Sequence, residues 1–180
     1  MQIGACFAKG TYILTENGNV LIEELQVGDK VATVHRNFVP VKWIGWRRID
    51  FHAPSESAGS NRPILIPKSS LADQIPCEDL LLSKSHAVLS CGLRLASNLV
   101  NGSDIREVFD LDVIVYYHVE LDEYDFIIAN GLAAETFEDC GNRAWFDNYS
   151  EWLCGSVGFH PPRSFAEVHL QRRTAATSIR

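Results

Sequence analysis

The run Val113-Ile114-Val115-Tyr116-Tyr117-His118-Val119-Glu120-Leu121 is β-branched, aromatic or aliphatic at every position but His118 and Glu120. Without a Gly or Pro to break it, such a run packs on a pleated surface and must be central to a sheet. The rest of the chain is cut into shorter pieces by turn residues. Residues 11–15 and 20–22 flank Glu16-Asn17-Gly18-Asn19, whose Asn-Gly pair is a strong hairpin signal. Residues 30–34, 63–67, 79–82, 86–89, 93–96, 105–109 and 126–129 read as further strands, and Asn130-Gly131 as a second hairpin turn. Residues 39–51 read as one long twisted strand or hairpin arm, 52–62 as an exposed loop, and 69–75 as one helical turn. Helix is expected only late, over 144–154 and 164–172. Many short strands with frequent turns predict an all-β fold.

One domain of 180 residues suffices, and 46% hydrophobic with 22% charged residues is the composition of a soluble globular chain. The 23 acidic residues outnumber 16 basic ones, giving −7, which argues against a nucleic-acid partner, since phosphate neutralisation requires a clustered basic surface. No apolar run approaches the ~20 residues of a membrane span, and the N-terminus lacks the layout of a signal peptide. Five cysteines without a Cys-x-x-Cys pair suggest neither a disulfide framework nor a zinc site, and nothing calls for a metal or organic cofactor.

Cys6 is set apart by position. Through a five-membered ring its thiol can attack the carbonyl of Ala5, exchanging the Ala5–Cys6 amide for a thioester. That reaction requires a donor for the departing Cys6 nitrogen and stabilisation of the tetrahedral oxyanion. A histidine in a suitable setting occurs in Leu81-Leu82-Ser83-Lys84-Ser85-His86-Ala87-Val88-Leu89. On a continuous strand Ser83 and His86 would face opposite ways, so they converge only if the chain turns between them.

In order, Cys6-Phe7-Ala8-Lys9-Gly10-Thr11, Glu23-Glu24-Leu25-Gln26-Val27-Gly28-Asp29, Pro40-Val41-Lys42-Trp43-Ile44-Gly45, the segment around Ser83 and His86, Tyr116-Tyr117-His118-Val119-Glu120-Leu121 and Gly131-Leu132-Ala133-Ala134-Glu135 resemble a Hint domain of the Hedgehog/intein superfamily, in its bacterial intein-like branch. The resemblance covers residues 6–146, leaving 1–5 as the remnant of an upstream segment and 147–180 as an extension with a short helical tail. It implies a horseshoe-shaped all-β fold with pseudo-two-fold symmetry, and a bacterial parent protein, secreted or not. By position, Cys6 is the nucleophile, His86 the group that protonates the Cys6 nitrogen, and Ser83 the hydroxyl beside the scissile bond. A rough alignment through Phe126 and Asn130-Gly131 puts His118 near an aspartate of splicing relatives, where it would tune or deprotonate the thiol; a histidine merely held within the sheet is the alternative. Asp79, Glu120 and Asp122 are further candidates for the centre, whereas His35, His52, His160 and His169 are most simply solvated.

Splicing requires a terminal asparagine, usually after histidine, and this chain has Glu135-Thr136 there. The resemblance therefore implies a self-processing domain that cleaves its own N-terminal bond without splicing. Its partners would be its own upstream polypeptide and the water, small thiol or amine that resolves the thioester. A catalytically silent Hint-fold interaction module and a thiol hydrolase that turns over foreign substrates are the competing readings.

Overall fold

The computed structural model describes residues 4–53 and 59–154, with residues 167, 170, 171, 173 and 174 of the tail. In chain order the strands are β1 (Phe7–Ala8), β2 (Tyr12–Thr15), β3 (Gly18–Leu21), β4 (Lys30–Thr33), β5 (Asn37–Pro40), β6 (Trp43–Asp50) and β7 (Ile64–Ile66). They continue with β8 (Leu80–Leu82), β9 (Ala87–Leu89), β10 (Leu93–Leu95), β11 (Arg106–Glu107), β12 (Val113–Glu120), β13 (Phe126–Ala129) and β14 (Leu132–Glu135). One short helix, α1 (Tyr149–Cys154), follows a 3-10 turn at Arg143–Trp145. The fold is all-β.

Two antiparallel sheets carry the chain. The first runs β11-β7-β8-β1-β12-β6; the second runs β10-β9-β14-β13-β2-β4-β5, with β3 paired to β2. As its composition requires, β12 lies inside the first sheet, between β1 and β6, with the register Val113↔Asp50 through Glu120↔Trp43. The hairpin expected near Asn17 closes at Thr15↔Gly18, where Gly18 takes φ 104, a left-handed value that glycine adopts without a Cβ clash.

The single long strand expected over 39–51 is two strands. Val41 N–H donates to Asp29 O (2.8 Å) beside β4, and Lys42 N–H donates to Glu120 O (2.8 Å) on β12. The chain thus changes sheets between these two residues, because their neighbouring amides are satisfied by different sheets. The turn of helix expected over 69–75 is instead a tight reversal with a bridge between Ala72 and Ile75. Within the expected loop 52–62, Asn61 is buried and its carbonyl accepts the Tyr116 hydroxyl proton at 2.9 Å; residues 54–58 lie outside the described residues. The late helical stretch is shorter than expected, and most of 164–172 lies outside the described residues.

The larger apolar cluster is built from Ile13, Ile22, Val31, Ile64, Leu80, Leu82, Ile127 and Leu132 with their neighbours, and a second one gathers Trp43, Ile49, Ile114, Tyr116, Phe137 and Phe146 around Cys6. The outer edge of β6 is covered. Trp46 N–H donates to Asn148 Oδ1 (3.0 Å), Asp147 N–H donates to Trp46 O (2.8 Å), and Arg48 N–H donates to Asp147 Oδ2 (2.9 Å). Residues just after Phe146 therefore complete an edge that would otherwise expose its amides to pairing with another chain.

Candidate active site

The site lies where the two sheets exchange strands: β8 of the first leads through Ser83-Lys84-Ser85-His86 into β9 of the second. Phe7 on β1 pairs with Leu82 on one side and Tyr117 on the other, which fixes Cys6 just before the strand. Ser83 N–H donates to Cys6 O at 2.9 Å. Cys6 N–H donates to Ser83 Oγ at 2.8 Å, and that hydroxyl donates its own proton to Gly4 O at 2.8 Å. The Ser83 hydroxyl thus accepts from one peptide unit and donates to the one before it.

His86 N–H donates to Ser83 O at 3.1 Å, closing the turn that the opposite parity of these residues demands. The His86 ring is completely buried, with Nε2 3.2 Å from Glu135 O, and stacks edge-on to Phe7 at 4.3 Å between centroids. His118 is also buried, and its ring centroid is 5.6 Å from that of His86. Extending the register Phe7↔Tyr117, Ala8↔Tyr116 by one residue sets Cys6 opposite His118, which in turn faces Gly45 on β6. Opposed residues of antiparallel strands share a sheet face, so Cys6, His118 and Gly45 form one row.

Gly45 is needed in that row. A Cβ there would stand 2.3 Å from the Trp43 ring and 2.7 Å from Phe146. The space is filled by those two rings, and Phe137 packs against His118 (5.2 Å), Trp43 (5.5 Å) and Phe146 (5.7 Å). Cys6 has no exposed surface. Burial pushes its thiol well above the usual value; the Arg47 guanidinium pulls it down and the Glu135 carboxylate pushes it further up. At rest the thiol keeps its proton, and an attack by sulfur requires a base to take it.

Of the other acidic candidates, Asp79 is exposed and its Oδ1 accepts the Lys68 amide proton, and Asp122 pairs with Arg36 at the surface. Neither is at the centre. Glu120 is buried, but its partners are Arg143 and Lys42. His35 Nδ1 lies 2.7 Å from Asp125 Oδ1 and His52 Nε2 2.8 Å from Asp112 Oδ1, so both surface rings are held by carboxylates; His160 and His169 lie outside the described residues.

Two contributors were not singled out by sequence. Glu135 is buried at the end of β14, and its carboxylate accepts the Ala87 N–H (2.8 Å) and the Tyr124 O–H (3.0 Å). A charged residue closing the small apolar strand Leu132-Ala133-Ala134 was the available signal. Arg143 is 6% exposed, pairs with Glu120 and Asp139, and stands 4.6 Å over Trp43, 4.8 Å over Phe137 and 4.7 Å over Trp152. It clamps the segment whose Phe146 packs into the cluster around Cys6.

A family model described as Hint domain matches residues 5–141. The chain belongs to the Hint domain family. Among solved structures, the gp41-1 intein is 15% identical, with 75% of this chain and 100% of that one covered at a TM-score of 0.50. A bacterial intein-like domain from Clostridium thermocellum is 19% identical, covering 75% and 99% at a TM-score of 0.51. A DnaB intein from Synechocystis is 11% identical, covering 74% and 99% at a TM-score of 0.50. At these identities the likeness is one of fold. No match was found among curated proteins. The Hint domain and its intein-like fold place this chain among self-processing domains, and among the described residues no helix is long and apolar enough to cross a membrane.

Proposed function

We propose that this Hint domain cleaves its own Ala5–Cys6 peptide bond through a thioester, without splicing. One observation carries the reading: a single buried hydroxyl, Ser83 Oγ, binds both the Cys6 amide and the Gly4 carbonyl, holding the chain on either side of Ala5. Fixing a peptide in this way replaces a search through conformers with one near-attack geometry.

His118, in the row with Cys6, takes the thiol proton, and Sγ attacks the Ala5 carbonyl carbon. The tetrahedral intermediate collapses with cleavage of the C–N bond, while His86 supplies the proton that turns the Cys6 nitrogen into a free amine. Water then attacks the thioester carbonyl, leaving a carboxylate on Ala5 and returning the proton to the Cys6 thiol. A small thiol or an amine in place of water would transfer the acyl group to itself. Splicing does not follow, because Glu135-Thr136 stands where cyclising His-Asn would be. The asparagine nearest in sequence, Asn130, is occupied as a turn residue: its Oδ1 accepts the Tyr12 N–H (2.8 Å) and its Nδ2 donates to Asp79 O (2.9 Å).

The test is the intact mass of fresh and thiol-treated protein. Loss of residues 1–5 is expected; Cys6→Ala abolishes it, and His118→Ala slows it by about a hundredfold, the usual contribution of a general base. No release under any nucleophile, with the fold intact, would leave the second reading, a silent interaction module. The observation in favour of that reading is the complete burial of Cys6.

A further inference from the structure

The family match ends at residue 141, and the next residue points back at the chain upstream of the nucleophile. Asn142 is 6% exposed and begins the 3-10 turn at Arg143–Trp145. Asparagine at such a position ordinarily turns its side chain onto the first amides of the turn, but here it makes no capping bond. Its amide lies instead against Gly4: a Cβ on Gly4 would stand 2.7 Å from Nδ2. Its Oδ1 is buried and has no hydrogen-bond partner among the described residues.

This contact is tight, and a side chain at position 4 requires the buried end of Asn142 to move. A Cβ closer than about 3 Å to a neighbour forces a shift, and overpacked sites resist one. Arg143, the next residue, is held by Glu120, Asp139 and three aromatic rings, and Asp147 and Asn148 are bonded to β6. On the other side Gly4 O is fixed by Ser83 Oγ. The backbone on both sides of the gap is anchored, so room for a Cβ must come from the end of the buried Asn142 side chain, and exchanging the two ends of its amide would leave the same volume occupied.

We infer that Asn142 and Ser83 form a subsite that favours glycine two residues before the nucleophile, so that Asn142 biases which upstream polypeptide this domain processes. The inference rests on the self-cleavage reading and adds its substrate class: a chain presenting glycine two residues before Cys6. Ser83 reads the backbone of that glycine through its carbonyl, and Asn142 reads its lack of a side chain. A larger residue at position 4 moves the peptide off Ser83 Oγ, which withdraws the support of the Cys6 amide as well.

The experiment is a cycle of Gly4→Ala, Asn142→Gly and the double variant, with loss of residues 1–5 followed by intact mass in the presence of dithiothreitol, and with thermal melting of each. With Asn142 present, Gly4→Ala is expected to slow release by about tenfold or more, the rate equivalent of the mildest overpacking. In the Asn142→Gly background, the rates with and without Gly4→Ala should agree within about twofold, and the drop in melting temperature caused by Gly4→Ala should vanish in the same background. An undiminished penalty in the Asn142→Gly background, or Gly4→Ala cleaving at the parent rate, overturns the subsite while leaving self-cleavage standing. Absence of release from the unsubstituted protein overturns both, and the melting cycle then reports only whether the steric contact exists.

Discussion

Ser83 Oγ stands between Cys6 N and Gly4 O, 2.8 Å from each. One hydroxyl thus ties β8 to the two peptide units flanking Ala5. The bond from Cys6 N–H is buried and the one to Gly4 O partly so, which limits competition from water, and their loss would be felt in stability and in reaction geometry together.

Ser83→Ala leaves the Cys6 N–H without its side-chain acceptor. Stability should fall by about 1–3 kcal/mol in urea denaturation, and release of residues 1–5 should slow by about tenfold or more. Ser83→Thr, which keeps the hydroxyl, should recover most of the rate. A stability loss with an unchanged rate would remove the positioning role and leave only a structural one.

The pH dependence follows from the buried thiol. Burial raises Cys6, so release should accelerate with pH through the alkaline range. Arg47→Gln, which removes the charge that lowers the thiol, should move the rate profile to higher pH, and Glu135→Gln should move it to lower pH. The sign for stability is opposite to that for rate. The unfolded chain gives up its thiol proton near the ordinary value, about 8.5, while the folded chain retains it. Stability due to Cys6 is complete below that value and is lost above it. Urea denaturation at neutral pH and at pH about 9.5 should show a smaller alkaline loss in Cys6→Ala than in the parent. The raised Tyr116 hydroxyl, buried in the same cluster, acts in the same direction at still higher pH in both.

Arg143→Met removes the cation that closes the covering segment. Glu120 would keep only Lys42, and three rings would lose their cation. A loss of about 3 kcal/mol is expected for breaking a buried pair, and alkylation of Cys6 by iodoacetamide, followed by peptide mass, should be about tenfold faster as the segment opens more often. Lowered stability with Cys6 still protected would show that other packing forms the cover.

Local pattern made part of the site readable. The convergence of Ser83 and His86 follows from strand parity plus a turn, and both conditions lie within four residues of sequence. His118 was reachable only through the resemblance, whose alignment through Phe126 and Asn130-Gly131 set it near an aspartate of splicing relatives; strand character alone left its register open. Glu135 was harder. The apolar strand it closes hints at burial, but its partners Ala87 and Tyr124 come from different segments, so the two bonds to its carboxylate are not written near residue 135. Asn142 and Arg143 were out of reach for the same reason, as Gly4 and Glu120 meet them only after the covering segment folds back. The division of 39–51 into β5 and β6 likewise depends on where two adjacent amides find acceptors, Asp29 O and Glu120 O.

By itself the sequence determined an all-β chain with β12 inside a sheet, a nucleophile candidate at Cys6, and a turn joining Ser83 to His86. The strands and the turn follow from side-chain periodicity and turn chemistry, which act over a few residues; Cys6 follows from the reach of its thiol to the preceding carbonyl and from the resemblance to Hint domains. Only the tertiary structure decided that Cys6, His118 and Gly45 form one row, that Glu135 is buried beside His86, and that Asn142 lies against Gly4. Those relations depend on strand register and on the return of a distant segment, which are fixed by packing and by the pairing of buried amides across the whole fold.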